Sequence, residues 1–184
     1  VDVKDRNEAR AQMAVQNAFQ YSNAFLGFHG EGHENMGATS WTGPDPHEFP
    51  VIFPPHPEPT MTDPQQLTDY VKTMARLAGA DLVGICKLDR RWIYSETQRN
   101  VHTPDKPITK KIVFENVPKP KETDSKLVIP EDTQYAIVMG FAMNRQMYQT
   151  SPSQLSQAAS NLGYARMGFA SMSVANYIRF QGYN

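Results

Sequence analysis

The sequence predicts an α/β fold. Three observations carry that prediction: a capped amphipathic helix over 63–78, an apolar run DLVGICKL directly after it, and a second apolar run QYAIVMGFA at 134–142, ahead of a long capped helix. Helices that alternate with short buried strands are the pattern of α/β domains. The chain has 184 residues, room for one domain of ~100–200 residues with an arm. It divides into 1–62, an N-terminal helix with an irregular Gly/Pro-rich arm, and 63–184, the α/β part.

Residues 5–26 read as a helix with a ragged apolar stripe of Ala9, Met13, Val15, Phe19 and Phe25. From Gly27 to Pro59 glycines and prolines crowd the chain, with His29, His33, His47 and His56 among them. Both residue types resist regular structure, so this is an irregular arm. A segment of that length is usually functional or lies extended across another surface. His29 and His33 in HGEGH have the spacing of two ligands on one helical turn. The intervening glycines oppose a helix, and no third ligand can be named, so a polar loop is expected rather than a zinc site. Trp41, in SWTG, either anchors the arm or forms a pocket wall, since an indole offers a broad rigid face.

Asp63 can cap the next helix, Pro64 suits its first position and Gly79 suits its end. Leu67, Tyr70, Val71, Met74, Leu77 and Ala78 form one apolar stripe along it. DLVGICKL then reads as a strand buried on both faces, and RRWIYS as a short helical turn in which Trp92 is structural. Over 103–131 lysines, acids and prolines are interspersed, which reads as a solvated loop or hairpin rather than a basic binding patch. QYAIVMGFA is a second buried strand, and there is no internal repeat.

Composition narrows the function classes. Eighteen basic and nineteen acidic residues give a net charge of −1, without the basic footprint of a nucleic-acid-binding domain. No apolar run reaches the ~18 residues that span a bilayer, and VDVKDRNEAR is not a targeting peptide. A single cysteine, Cys86, cannot by itself form an intramolecular disulfide or ligate an iron–sulfur cluster. In its apolar run it reads as a small buried hydrophobe. No phosphate-cradling glycine loop, nucleophile elbow or serine–histidine–aspartate set is present.

The last segment is the most informative. Ser151 is placed to cap, Pro152 to follow at the first helical position, and Gln154 to complete a capping box. Helix is expected to about Gln181, with Gly182 as terminator. Leu155, Ala159, Leu162, Phe169, Ala170 and Tyr177 mark its apolar stripe. The opposite face carries Ser153, Gln157, Ser160, Tyr164, Gly168, Ser171 and Ala175: small, uncharged, with one large residue in the middle. From Ser151 onward the charges are Arg166 and Arg179 alone, so this helix is expected to be covered on most sides. The chain ends at QGYN, where the next strand of a β-α-β unit is expected. It therefore reads as the N-terminal portion of a larger protein, or as one whose remainder is another chain. Tyr164 is either a packed core tyrosine or a phenol facing a large flat guest. A phenol stays protonated at neutral pH and can donate, provided something stabilises the phenolate. Arg166, two residues on, does not share its face.

GADLVGICKLDRRWIYS, DTQYAIVMGFAM and YQTSPSQLSQAASNLGYARMGFASMSVANYIRFQGYN together resemble the N-terminal half of corrinoid-dependent reductive dehalogenases. The resemblance covers 63–184 and is compatible with the WTG at 41–43. It implies the N-terminal part of a cobalamin-binding, nitroreductase-like α/β core. It implies an enzyme of organohalide respiration that removes halide from a chlorinated or brominated hydrocarbon with cobalt(I) cobalamin, fed by two [4Fe–4S] clusters. Tyr164 in NLGYARM matches the family's proton donor, Ser160 a position lining the substrate pocket, and Trp41 a pocket aromatic. The cluster cysteines and most corrinoid contacts are expected in the remaining C-terminal portion. The resemblance further implies export through a twin-arginine signal since removed, a peripheral place on the outer face of the cytoplasmic membrane, a small membrane anchor subunit, and homodimerisation. A related corrinoid and iron–sulfur reductase of tRNA modification, or a non-catalytic interaction module, are the alternatives.

Overall fold

The computed structural model describes residues 63–97, 109–181 and 183. The expectations placed on 1–62, namely the helix at 5–26, the arm, the HGEGH histidines and Trp41, lie outside the described residues.

Helix α1 (Pro64–Leu77) begins where the Asp63 carboxylate accepts from Gln65 N–H at 3.0 Å. Pro64 sits at a position whose N–H has no intrahelical partner, so its missing donor costs nothing. The helix ends at Gly79, with φ +99°. Ala80 N–H returns to the Ala75 carbonyl at 3.0 Å and Gly79 N–H to that of Arg76 at 2.9 Å, a Schellman closure. The inner line is Leu67, Val71, Met74, Ala75 and Ala78. Tyr70 and Leu77, expected in the stripe, face outward instead.

Strand β1 (Leu82–Lys87) follows, then a 3-10 turn (Arg90–Trp92) capped by Asp89, then β2 (Glu96–Thr97), β3 (Lys110–Glu115), β4 (Lys121–Glu122), β5 (Lys126–Pro130) and β6 (Tyr135–Gly140). A short helix α2 (Arg145–Tyr148) and the long α3 (Gln154–Phe180) complete the order. Strands β1 and β6 form an antiparallel ribbon, Leu82 opposite Gly140 and Lys87 opposite Tyr135. Its inner face (Val83, Ile85, Ile137 and Met139) packs with Val71, Ala75 and Ala80 and, from α3, with Val174, Tyr177 and Ile178. This is the core that holds α3 in place.

The ribbon corrects the expectation of strands buried on both faces. Side chains alternate across a strand, and among the described residues α1 and α3 lie on the same side. Leu82, Gly84, Cys86 and Val138 form the other, open side, with Leu82 74% exposed and Val138 57%. Cys86, expected to be buried, is exposed on that side. Trp92 is in the expected turn, but its indole is 83% exposed rather than packed.

The stretch expected as a loop or hairpin is a second sheet, in the order β2-β3-β5-β4. Strands β3 and β5 are parallel, Ile112 opposite Leu127 and Phe114 opposite Ile129. Val128 is its buried centre. Two three-residue apolar runs, IVF and LVI, make this sheet, and flanking lysines conceal them in composition. Those lysines pair: Lys110 with Glu122 at 2.7 Å and Lys126 with Glu115 at 2.8 Å. Arg90 ties the 3-10 turn to the sheet, bonding Glu131 at 2.8 Å and lying 4.1 Å over the Phe114 ring.

The entry to α3 differs from expectation by two residues. Ser153, not Ser151, is the cap; its side chain accepts from Ser156 N–H. The Ser151–Pro152 peptide is cis, in the turn that joins α2 to α3. The Asn144 side chain caps α2 through Met147 N–H at 3.0 Å.

Candidate functional site: a pinned helix and its open face

The residues that α3 buries are small. Ala158, Ala159, Ala165, Ala170 and Val174 are each less than a tenth exposed. Small side chains let backbones approach closely, but they interdigitate poorly. Around Tyr164 the buried apolar side chains are alanines, while the larger Val174, Tyr177 and Ile178 pack into the core toward the C-terminal end of the helix.

One side chain adds a polar fixation at the middle of the helix. Arg166 donates from Nη1 to the Ala142 carbonyl at 2.9 Å, and from Nη2 to the Gly79 carbonyl at 2.9 Å and to Asp81 Oδ2 at 3.1 Å. Its guanidinium centre is 5.6 Å from the Phe141 ring centroid. Asp81 Oδ2 also accepts Ala142 N–H at 2.7 Å. Both backbone polar groups of Ala142 are thereby used, one by each member of the ion pair. The Asp81 carboxyl is held below its ordinary value of 3.8, first by the Ala142 N–H and then, against some desolvation, by the Arg166 charge and hydrogen bond. The fork joins the end of α1, the start of β1, the exit of β6 and the middle of α3.

Arg166 therefore points toward the ribbon. Tyr164 is two residues earlier, about 200° away around the helix. Its ring lies on the open side and is 56% exposed, and no described residue hydrogen-bonds its hydroxyl. The expectation that Arg166 does not face Tyr164 holds.

Ser160 is one turn before Tyr164 on the same strip, half-buried, with its Oγ 4.0 Å from the Met143 sulfur. A Cβ added at Gly163 would lie 3.6 Å from Met143 Cγ. Met143 thus flanks the phenol's turn, and it directly follows the residue that Arg166 and Asp81 grip. Gln157, Met167 and Ser171 continue the exposed strip, and no charge interrupts it. Phe169, expected within the apolar stripe, is 48% exposed.

Of the residues singled out from the sequence, the structure brings Tyr164 and Ser160 onto one strip, and Trp41 falls outside the described residues. Asp81 and Met143 were not singled out. Asp81 had one legible signal, a lone acid between a helix-ending glycine and an apolar strand; Met143 had none. The strip can present a neutral hydroxyl donor to an apolar or flat guest. Among the described residues no cluster of histidine, cysteine and acidic side chains could hold a metal ion. No helix among them is long and apolar enough to cross a membrane.

Three relatives frame this geometry. The chain is 45% identical over 134 residues to a tetrachloroethene reductive dehalogenase of Sulfurospirillum multivorans, covering 68% of this chain and 26% of that protein. It is 29% identical over 134 residues to proteins of the same name from Desulfitobacterium hafniense and Dehalobacter restrictus, covering 65% of this chain and 24% of each. The chain thus spans about a quarter of the length of these relatives. No family model matches it.

Proposed function

We propose that this chain, a homologue of the reductive dehalogenases, is the N-terminal portion of the catalytic subunit of such an enzyme, with Tyr164 as its proton donor. The supporting observation is the position of that phenol: exposed, in the middle of an uncharged strip, on a helix pinned from its other side. Replacing a carbon–halogen bond with carbon–hydrogen takes two electrons and one proton and releases halide. Cobalamin reduced to cobalt(I) and fed by two [4Fe–4S] clusters would supply the electrons.

The residues in hand fit part of that assembly. A strip of Ser160, Tyr164, Gly168 and Ser171 is shallow and uncharged, which suits one wall of a cavity for a flat cofactor or an organohalide, but it is not a cradle. Clusters do not fit this chain. Each takes four thiolates, and Cys86 is the one cysteine present. The cluster ligands and most cofactor contacts belong to the remaining polypeptide. That polypeptide also covers the open ribbon face of Leu82, Cys86 and Val138. The relatives' extra length supports this assignment, because that face is apolar and unpartnered among the described residues.

In this reading Tyr164 Oη gives its proton to the carbon that loses halide, and Ser160 lines the substrate side one turn away. Donors from the remaining polypeptide stabilise the phenolate, since Arg166 is turned away. Substrate would be a chlorinated or brominated hydrocarbon. We place the full enzyme at the outer face of the cytoplasmic membrane, held by a small anchor subunit after twin-arginine export. Tyr164→Phe in the full-length holoenzyme should lower halide release by ~10²–10⁴-fold, the range for a positioned acid. Unchanged turnover would remove Tyr164 from the mechanism.

A further inference from the structure

We infer that Arg166, locked by Asp81, is the positioning residue for Tyr164: it sets the rotational phase of α3 and so aims the phenol. This rests on the reading of Tyr164 as the acid, and adds to it the device that holds the acid on target.

Three observations carry the inference. The first is the seat of the helix around the phenol. Near Tyr164 the buried apolar side chains are Ala158, Ala159, Ala165 and Ala170, and the larger core residues Val174, Tyr177 and Ile178 lie about three to four turns further along α3. A rotation of a few tens of degrees about the axis moves a phenol hydroxyl, which projects well beyond the backbone, by several ångströms. The second is the fork itself. The three contacts of Arg166 reach two segments, the α1–β1 junction at Gly79 and Asp81 and the exit of β6 at Ala142, and so tie the middle of α3 to both. Arg166 lies half a turn from Tyr164, where it fixes the phase without touching the substrate side. The third is the coupling to Met143. The Ala142 peptide is gripped through its N–H by Asp81 and through its carbonyl by Arg166. The next residue, Met143, rests against Ser160 and Gly163. One ion pair therefore holds both the helix and the side chain that flanks the phenol's turn. A lysine at 166 could keep the charge but could not reach three acceptors with a planar fork.

The test is a double-mutant cycle in the full-length holoenzyme, reading kcat and KM for halide release, with amide hydrogen exchange of residues 158–168. Arg166→Gln should lower kcat about tenfold or more, as misplacement of a reacting group does, with KM little changed and α3 exchange faster. In a Tyr164→Phe background the same change should have no further effect on kcat, because its action passes through the phenol. Asp81→Asn keeps the acceptor for Ala142 N–H and removes the charge, so it should show the same pattern more weakly and preserves the test if Arg166→Gln does not fold. An equal loss of kcat with the phenol present and in the Tyr164→Phe background, for either substitution, would make the ion pair merely structural and overturn the inference. A Tyr164→Phe enzyme with wild-type turnover would instead overturn the underlying reading, so the two failures are distinct.

Discussion

Replacing Gly79 with alanine isolates the effect of one backbone angle. Gly79 has φ +99° where α1 closes. A Cβ built there meets nothing within 4 Å, so crowding contributes nothing and conformation decides the outcome. A residue with a Cβ loses about 1–2 kcal/mol in the left-handed region. Alanine regains about 0.4–1 kcal/mol by restricting the unfolded chain. The net is a loss of about 1 kcal/mol, or about a fivefold larger opening constant for the turn. Hydrogen exchange reads this locally, whatever the course of global unfolding. Amides of 74–80 in Gly79→Ala should exchange about fivefold faster than wild type. Gly79→Asn should fall between them, because asparagine enters that region more readily. The turn also presents the Gly79 carbonyl to Arg166 at 2.9 Å, so exchange near Arg166 should quicken with it. Alanine exchange equal to or slower than wild type would refute the left-handed closure.

Acid should loosen the same region. Asp81 is depressed below 3.8, so its contribution is fully present above that pH and drains away as the pH falls through the lower folded value. Exchange near Asp81 and Ala142, corrected for intrinsic rate, should be flat from neutrality to about 4 and rise below it, and Asp81→Asn should abolish the rise. Val128→Ala should cost about 2–3 kcal/mol: two methyl-sized groups at ~0.8 each, plus the cavity they leave. Exchange in β3 and β5 should report that loss while halide release stays at the wild-type level. Cys86 should resist alkylation in the folded full-length enzyme and react promptly once it is denatured. Equal rates would show that the open ribbon face is not covered.

Where local chemistry determines structure, the sequence was readable. Asp63, Pro64 and Gly79 bound α1 as their capping and turn properties require. The strands in DLVGIC and YAIVMG appear where their apolar runs lie. Legibility failed where partners decide. Nothing in DLVGIC distinguishes a strand covered on one side within this chain from one covered on the other side by a different segment. The sheet over 109–131 was hidden because IVF and LVI are too short to stand out among lysines, and because the parallel pairing of β3 with β5 is a long-range choice. Ser151 and Ser153 are chemically equivalent caps; the turn leaving α2, which uses residues 149–152, selects the second. In the candidate site, that Tyr164 and Ser160 share one strip followed from helical spacing, since the period alone fixes it, whereas their site roles came from the family resemblance. Asp81 followed from neither, because its bond to Arg166 joins residues 85 positions apart in sequence.

The absence of lysine and glutamate from α3 has two separate causes, one for each side of the helix. Toward the ribbon, a long charged side chain would have to be desolvated among Val71, Val174 and Tyr177, and a single arginine is admitted because backbone carbonyls and an acid satisfy its donors. Toward the open strip no such constraint operates among the described residues, yet Gln157, Ser160, Tyr164, Met167 and Ser171 are still uncharged. Solvent alone would tolerate lysine there. A guest that excludes water, with the remaining polypeptide closed over the strip, would account for that neutrality, because a fixed charge in such a space would shift the proton transfer proposed for the phenol. Gln157→Lys, on the Tyr164 face, separates the two explanations. On a solvated strip it is neutral. In a closed cavity it lowers halide release while leaving exchange in α1 and the ribbon unchanged, and an unaffected enzyme would return the strip to open water.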